Sequence, residues 1–257
     1  MHSIESLPLV LKQLHLPAMQ LLWEEKQDTA LQNKWPYAQY LNALCGEELA
    51  MRYQKRTQRY IKASKLPPGK TLATFDFKVC PSVNSLQIQA LSDTTDWIRG
   101  AENLVLFGPS GVGKTHLAAA IGYRAIEHGM RVLFSSTTEL VQRLELAKSD
   151  YKLPDMLNRL GRIPLLILDD IGYVKKSAQE TSVLFELIAH RYENTSMIIT
   201  ANQPFSEWNG IFPDDMMTVA AVDRIVHHSN IIKIDDKSYR RSQASKKHST
   251  AQQDSIN

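Results

Sequence analysis

From Leu104 to Ile126 the chain reads LVLF, then GPSGVGKT, then HLAAAIGYRAI: an apolar strand, a glycine loop and a helix, in that order. Residues 108–115 fit the spacing G-x-x-x-x-G-K-[ST]. Glycines at 108, 111 and 113 let the backbone curl around an anion. Successive amide N–H groups and the helix N-terminus then point positive charge at it. Lys114 is placed to reach β- and γ-phosphates, and the Thr115 hydroxyl to ligate Mg²⁺. A chance glycine turn does not account for strand, loop and helix together. No G-x-G-x-x-G opens the helix, which excludes a dinucleotide fold. The expected binding set for ATP and Mg²⁺ is Gly108, Pro109, Ser110, Gly111, Val112, Gly113, Lys114, Thr115 and His116.

A second apolar strand, Leu165-Leu166-Ile167-Leu168, ends in Asp169-Asp170. Beside a phosphate loop, Asp169 is expected to hold Mg²⁺ and Asp170 to polarise the attacking water. Asp is one methylene shorter than Glu, which bears on the reach of Asp170 and hence on the hydrolysis rate. A third strand, Met197 to Thr200, ends in Ala201-Asn202. Asn202 could orient the same water, or make an Asx turn before Pro204. Arg224 and Arg240 each offer a guanidinium fork for phosphoryl oxygens. Spacing alone does not choose between them, and a surface or interface role fits either.

Short apolar runs alternate with longer amphipathic stretches from Asn103 on. Further strands are expected at Val132–Ser135 and Ile231–Ile234, with helices from Lys114, from Thr138, over Gln179–Tyr192 and over Met216–His227. This alternation predicts an α/β fold with a mostly parallel sheet flanked by helices. The first third reads as helical: Leu7, Leu11 and Leu14, then Met19, Leu22 and Trp23, then Tyr37, Tyr40, Leu41 and Leu44. Pro17 and Pro36 interrupt these helices or start them. The segment TLATFDF after Pro67-Pro68-Gly69 reads as an extended junction. The expected division is a small N-terminal all-α domain (1–70), a nucleotide-binding domain (71–241) and a polar, disordered tail (242–257).

No acidic residue falls between Leu49 and Phe75. Arg52, Lys55, Arg56 and Arg59 stand at i, i+3, i+4 and i+7, one face of a helix, with Lys62 following. A face of one sign suits an anionic partner such as the nucleic-acid backbone; a solvated helix is the plainer alternative. The 257 residues are 43% hydrophobic and 22% charged with net charge +3. Those values exclude a wholly disordered chain or a rod. No apolar run approaches the roughly 18 residues of a membrane helix, and the N-terminus lacks the look of a secretory signal. Cys45 and Cys80 read as reduced thiols, and the chain as cytoplasmic.

Taken together, these motifs resemble the IstB-type transposition helpers, AAA+ ATPases related to helicase loaders of the DnaC type. The marks are LKQLHLPAM, TFDF at 74–77, GPSGVGKTHLA at 108–118, LLILDDIGY at 165–173, LFELIAHRYE at 184–193, IITANQPFSEW at 199–208, AVDRIVHH at 221–228 and SYR at 238–240. The resemblance implies an AAA+ P-loop fold with a five-stranded sheet and the Met197 strand between the other two site strands. It implies that Asn202 is sensor 1, Arg224 an arginine finger acting on a neighbouring subunit, and Arg240 sensor 2. It further implies assembly on double-stranded DNA with ATP, and a partner transposase directed to its target; the alternative is a DnaC-like helicase loader. Two departures stand out. Asp170 replaces the usual Glu, which raises a third reading, an ATP-gated switch with little turnover. Asp236-Lys237 replaces Gly-Glu before Ser-Tyr-Arg.

Overall fold

The computed structural model describes residues 6–172, 177–210, 215–236 and 238. Two compact units divide the chain, Met1–Arg59 and Tyr60–Asn257, the division falling inside one long helix.

The first unit holds α1 (Leu7–Gln13), α2 (Pro17–Gln32) and most of α3 (Tyr37–Ser64). Pro17 occupies the first turn of α2, where its missing N–H costs nothing. The residue before it, Leu16, has no capping oxygen. Glu48 of α3 supplies one instead: its buried carboxylate accepts from Ala18 N–H (2.8 Å) and Met19 N–H (3.4 Å). Leu11, Met19 and Leu44 form a small core around this clasp. Arg52 Nε donates to the same carboxylate at 2.8 Å and its Nη2 to the His15 carbonyl at 2.9 Å. Arg52, expected on the basic face, is exposed there and also ties α3 to the α1–α2 turn. Lys55, Arg56, Arg59 and Lys62 are exposed on α3.

The second unit carries α4 (Ser85–Asp93), α5 (Asp96–Arg99), β1 (Asn103–Phe107), α6 (Lys114–Glu127), β2 (Val132–Ser136), α7 (Thr137–Ser149), α8 (Leu153–Gly161), β3 (Leu165–Asp169), α9 (Ala178–Arg191), β4 (Ser196–Ala201), α10 (Asp215–Val226) and β5 (Ser229–Lys233). All five strands are parallel, in the order β2-β3-β4-β1-β5. Alternate residues of each strand serve opposite cores. Leu166 and Leu168 pack with α7, α8, α9 and α10, whereas Leu165 and Ile167 pack with α4, α5 and α6. Covering on both faces explains why these strands are unbroken apolar runs.

Two readings of local structure are corrected here. The segment read as extended contains a 3₁₀ turn, Leu72–Thr74. The Thr74 hydroxyl accepts from Thr71 N–H (3.0 Å) and donates to the Gly69 carbonyl (2.7 Å), side-chain bonds that hold the turn. Helix α8 was not anticipated, although Leu153, Met156, Leu157 and Leu160 bury one helical face. The sheet order puts the C-terminal ends of β3, β4 and β1 side by side. In open parallel sheets that edge is where ligands bind.

Candidate functional site: a phosphate cradle at the sheet edge

Three neighbouring strand ends deliver Gly108, Asn202 and the Asp169-Asp170 pair to one edge of the sheet. The loop after β1 needs glycine for reasons visible in the packing. Gly108 has φ +151°, and a Cβ there would collide with the Ile234 carbonyl just past β5. Gly113 has φ +105°, and its Cβ would press on the Phe75 ring at 2.9 Å. Ile234 N–H donates to the Phe107 carbonyl at 2.8 Å, so the loop's first residue is pinned from that side.

Lys114 opens α6 and is only 5% exposed. Its Nζ donates to the carbonyls of Gly108 (2.7 Å) and Pro109 (2.8 Å) and to Asn202 Oδ1 (2.8 Å). A buried ammonium needs such acceptors, and phosphate oxygens can take their place. Next to it, Thr115 Oγ1 donates to Asp169 Oδ2 at 3.1 Å. The other oxygen of Asp169, Oδ1, accepts from Thr200 Oγ1 at 2.7 Å. Thr137 Oγ1 donates to the Asp169 carbonyl at 3.0 Å. Asp170 sits at φ +57°, a left-handed conformation that Asp tolerates better than most residues. Its N–H donates to Thr200 Oγ1 at 2.9 Å.

A cavity of about 350 Å³ runs over this edge. It is lined by residues 110–116, Asp170 and Asn202 together with Lys70, Thr74, Phe75, Asp76 and Cys80. The His116 Nε2 lies 3.0 Å from the Thr71 carbonyl and 3.2 Å from Thr74 Oγ1, with its ring edge-on to Phe75 at 5.2 Å. It latches the 3₁₀ turn to α6. Burial, with the charge of Lys70 in support, outweighs the Thr71 carbonyl and holds its pKa below the ordinary histidine value. Burial raises the Cys80 thiol above its usual range, helped by the charges of Asp236 and Asp76.

Gly108 through His116, Asp169, Asp170 and Asn202 thus converge as the sequence led us to expect. Arg224 is not among the residues lining the cavity. It lies on α10, donating to the Ala220 carbonyl at 2.9 Å with its guanidinium 5.0 Å over the Phe185 ring. Arg240 lies outside the described residues, as do Lys237 and the expected tail. Asp236 accepts from the Ser82 hydroxyl and, at 3.3 Å, from Ser82 N–H, joining the end of β5 to the loop after Cys80. Sequence reasoning missed Thr200 and Thr137. Thr200 had one usable signal: it is a hydroxyl residue two positions before Asn202.

Cys45 and Cys80 are both free thiols. Among the described residues no helix is long and apolar enough to cross a membrane.

The family described as IstB-like ATP binding protein matches the chain over residues 9–247. An insertion-sequence ATP-binding protein of Sinorhizobium fredii is 48% identical over 238 residues, covering 93% of this chain and 80% of that protein. The ATP-binding protein of insertion sequence IS21 from Pseudomonas aeruginosa is 36% identical over 240 residues, covering 93% and 89%. Two solved structures share the fold. The DnaC helicase loader superposes with a TM-score of 0.51 at 23% identity, over 68% of this chain and 98% of that one. AMPPCP-bound DnaA from Aquifex aeolicus gives 0.54 at 21% identity, over 72% and 56%. The second unit is an α/β AAA+ P-loop fold, with β4 between β1 and β3.

Proposed function

The chain belongs to the IstB-like ATP-binding protein family, and on that footing we propose that it is an ATP-dependent DNA-binding ATPase that helps an insertion-sequence transposase find its target. The observation that carries this reading is the facing pair of groups at the sheet edge: Lys114 in its carbonyl nest and Asp169 beside Thr115. The two oxygens at 3.1 Å form the hard-oxygen donor set that Mg²⁺ takes. When bound, that ion would neutralise charge on the phosphate oxygens.

The remaining roles belong to this chain's own side chains. Lys114 exchanges its carbonyl acceptors for phosphate oxygens, and Asn202 accepts from the ammonium while it does so. Asp170 orients water at the γ-phosphate, across a gap that its short side chain leaves wider than Glu would. Hydrolysis is therefore slow, and Asp170→Glu raises the rate several-fold. Arg224, absent from its own cavity, serves the nucleotide of a neighbouring copy, so ATP favours the assembled form. Arg240 completes the site as sensor 2. Residues Lys55, Arg56, Arg59 and Lys62 meet duplex DNA, while Arg52 acts mainly within the N-terminal helices. The helical region to about residue 70 works as the DNA-binding and assembly part, in the cytoplasm.

Helicase loading is the competing reading. The higher identity to insertion-sequence relatives, 48% against 23% for the DnaC structure, favours transposition. Size analysis with duplex DNA tests the proposal. We expect a large assembly with ATP and a small species with ADP. Arg224→Ala should bind ATP yet stay small and inactive. Replacing Lys55, Arg56, Arg59 and Lys62 by Ala should flatten the salt dependence, by about 0.9 in logarithmic slope per lost phosphate contact. An ATP-independent monomer, or capture of a replicative helicase without DNA, would sink the transposition reading.

A further inference from the structure

At the end of β3 the Asp169 carboxylate and the Asp170 amide both bond to a single hydroxyl that belongs to another strand. Thr200 is fully buried in β4. Its Oγ1 donates to Asp169 Oδ1 at 2.7 Å and accepts from Asp170 N–H at 2.9 Å. A hydroxyl has one proton and two lone pairs, so it can do both at once. The first bond fixes the rotation of the Asp169 carboxylate and leaves Oδ2 turned toward Thr115. The second holds the Asp169–Asp170 peptide where Asp170 adopts φ +57°, a conformation that needs outside support in a residue with a side chain. Valine has the same shape as threonine but neither bond.

The end of β4 extends the argument. Asn202, just past that strand, accepts from Lys114 Nζ at 2.8 Å while Thr200 donates to Asp169. The end of β4 and the residue after it therefore reach both the cation of the phosphate loop and the acidic strand end. From this geometry we infer that Thr200 is a positioning residue for ATP hydrolysis: it sets Asp169 for the metal and the Asp170 backbone for water orientation. The inference rests on the ATPase reading above.

Amide hydrogen exchange of the nucleotide-free protein tests the hold without any catalysis. In Thr200→Val the Asp170 amide should exchange about tenfold faster or more, whereas the Ile171 amide should not change, because it bonds to the Thr200 main-chain carbonyl at 3.0 Å. Thr200→Ser should restore protection at Asp170. Binding of a fluorescent ATP analogue with and without Mg²⁺ supplies the second readout. Thr200→Val should keep the metal-free affinity and lose about 10- to 100-fold of the metal-dependent gain, the worth of a hydrogen bond to a charged group; hydrolysis should fall with it, and Thr200→Ser should recover both. Equal acceleration of the Asp170 and Ile171 amides would mean general loosening and overturn the inference, as would a Thr200→Val protein with the full metal-dependent gain. A wild-type chain that never hydrolyses ATP would count against the ATPase reading instead, and the exchange at Asp170 would still decide what Thr200 holds.

Discussion

Lys114 and Arg191 are both buried cations of the AAA+ unit, 5% and 0% exposed, and both are held by oxygens. Their acceptors differ. Arg191 closes α9 and donates to the carbonyls of Leu160 (2.8 Å), Ile163 (3.1 Å) and Ser196 (2.7 Å), from the end of α8, the turn before β3 and the start of β4. Among the described residues no carboxylate pairs with it. Burial pushes its pKa down to about 9, which still leaves it charged at neutral pH. A planar fork with fixed donors suits three carbonyls that do not move. Lys114 instead has a point charge on a flexible stem, and two of its acceptors lie in its own loop. One cation joins parts of the fold; the other waits in a place it can leave.

Several outcomes would break or sharpen that contrast. The largest effect should come from Arg191→Met, which removes three hydrogen bonds from a charged donor at about 1.5–3 kcal/mol each. We expect a loss of several kcal/mol in urea unfolding, with nucleotide affinity reduced only as far as folding is. A stable Arg191→Met protein would remove the joining role. Next, Lys114→Ala should weaken ATP binding by at least about 100-fold while changing unfolding free energy by less than about 1 kcal/mol. A large stability loss there would mean that Lys114 is as structural as Arg191.

The smallest effect belongs to His116. Its folded pKa is depressed, so the unfolded chain takes up the proton first as pH falls below about 6.5. Stability should then decline from that point through the folded pKa and level off below it. Denaturant midpoints across pH 7 to 4.5 measure this. His116→Asn should lose that component, and an unchanged profile would show that burial of the His116 ring does not govern this pH dependence.

What the sequence disclosed follows the range of the interactions. The central strands β1, β3 and β4 were legible because each is buried nearly throughout, and the loop because its chemistry is contiguous. The tie of Arg52 to Glu48 was missed by one residue of context. The acid-free window opens at Leu49, and Glu48, which takes Arg52, stands just outside it. Despite its place two residues before Asn202, the role of Thr200 was hidden because it depends on β4 lying beside β3, a pairing no local pattern reveals. The turn at Leu72–Thr74 was hidden because side-chain bonds to Gly69 and His116, not backbone preference, create it. Helix α8 could have been found: its four buried positions have helical spacing, obscured only by Pro154 in its first turn.

One contact has a consequence for the order in which the molecule matures. The backbone of Ile234 seals Gly108 from one side, yet the two are made far apart in time. During synthesis the glycine loop emerges first and stays without its final wall until β5 follows. The packing of Gly108 against its final neighbour thus waits until the last described strand has been translated.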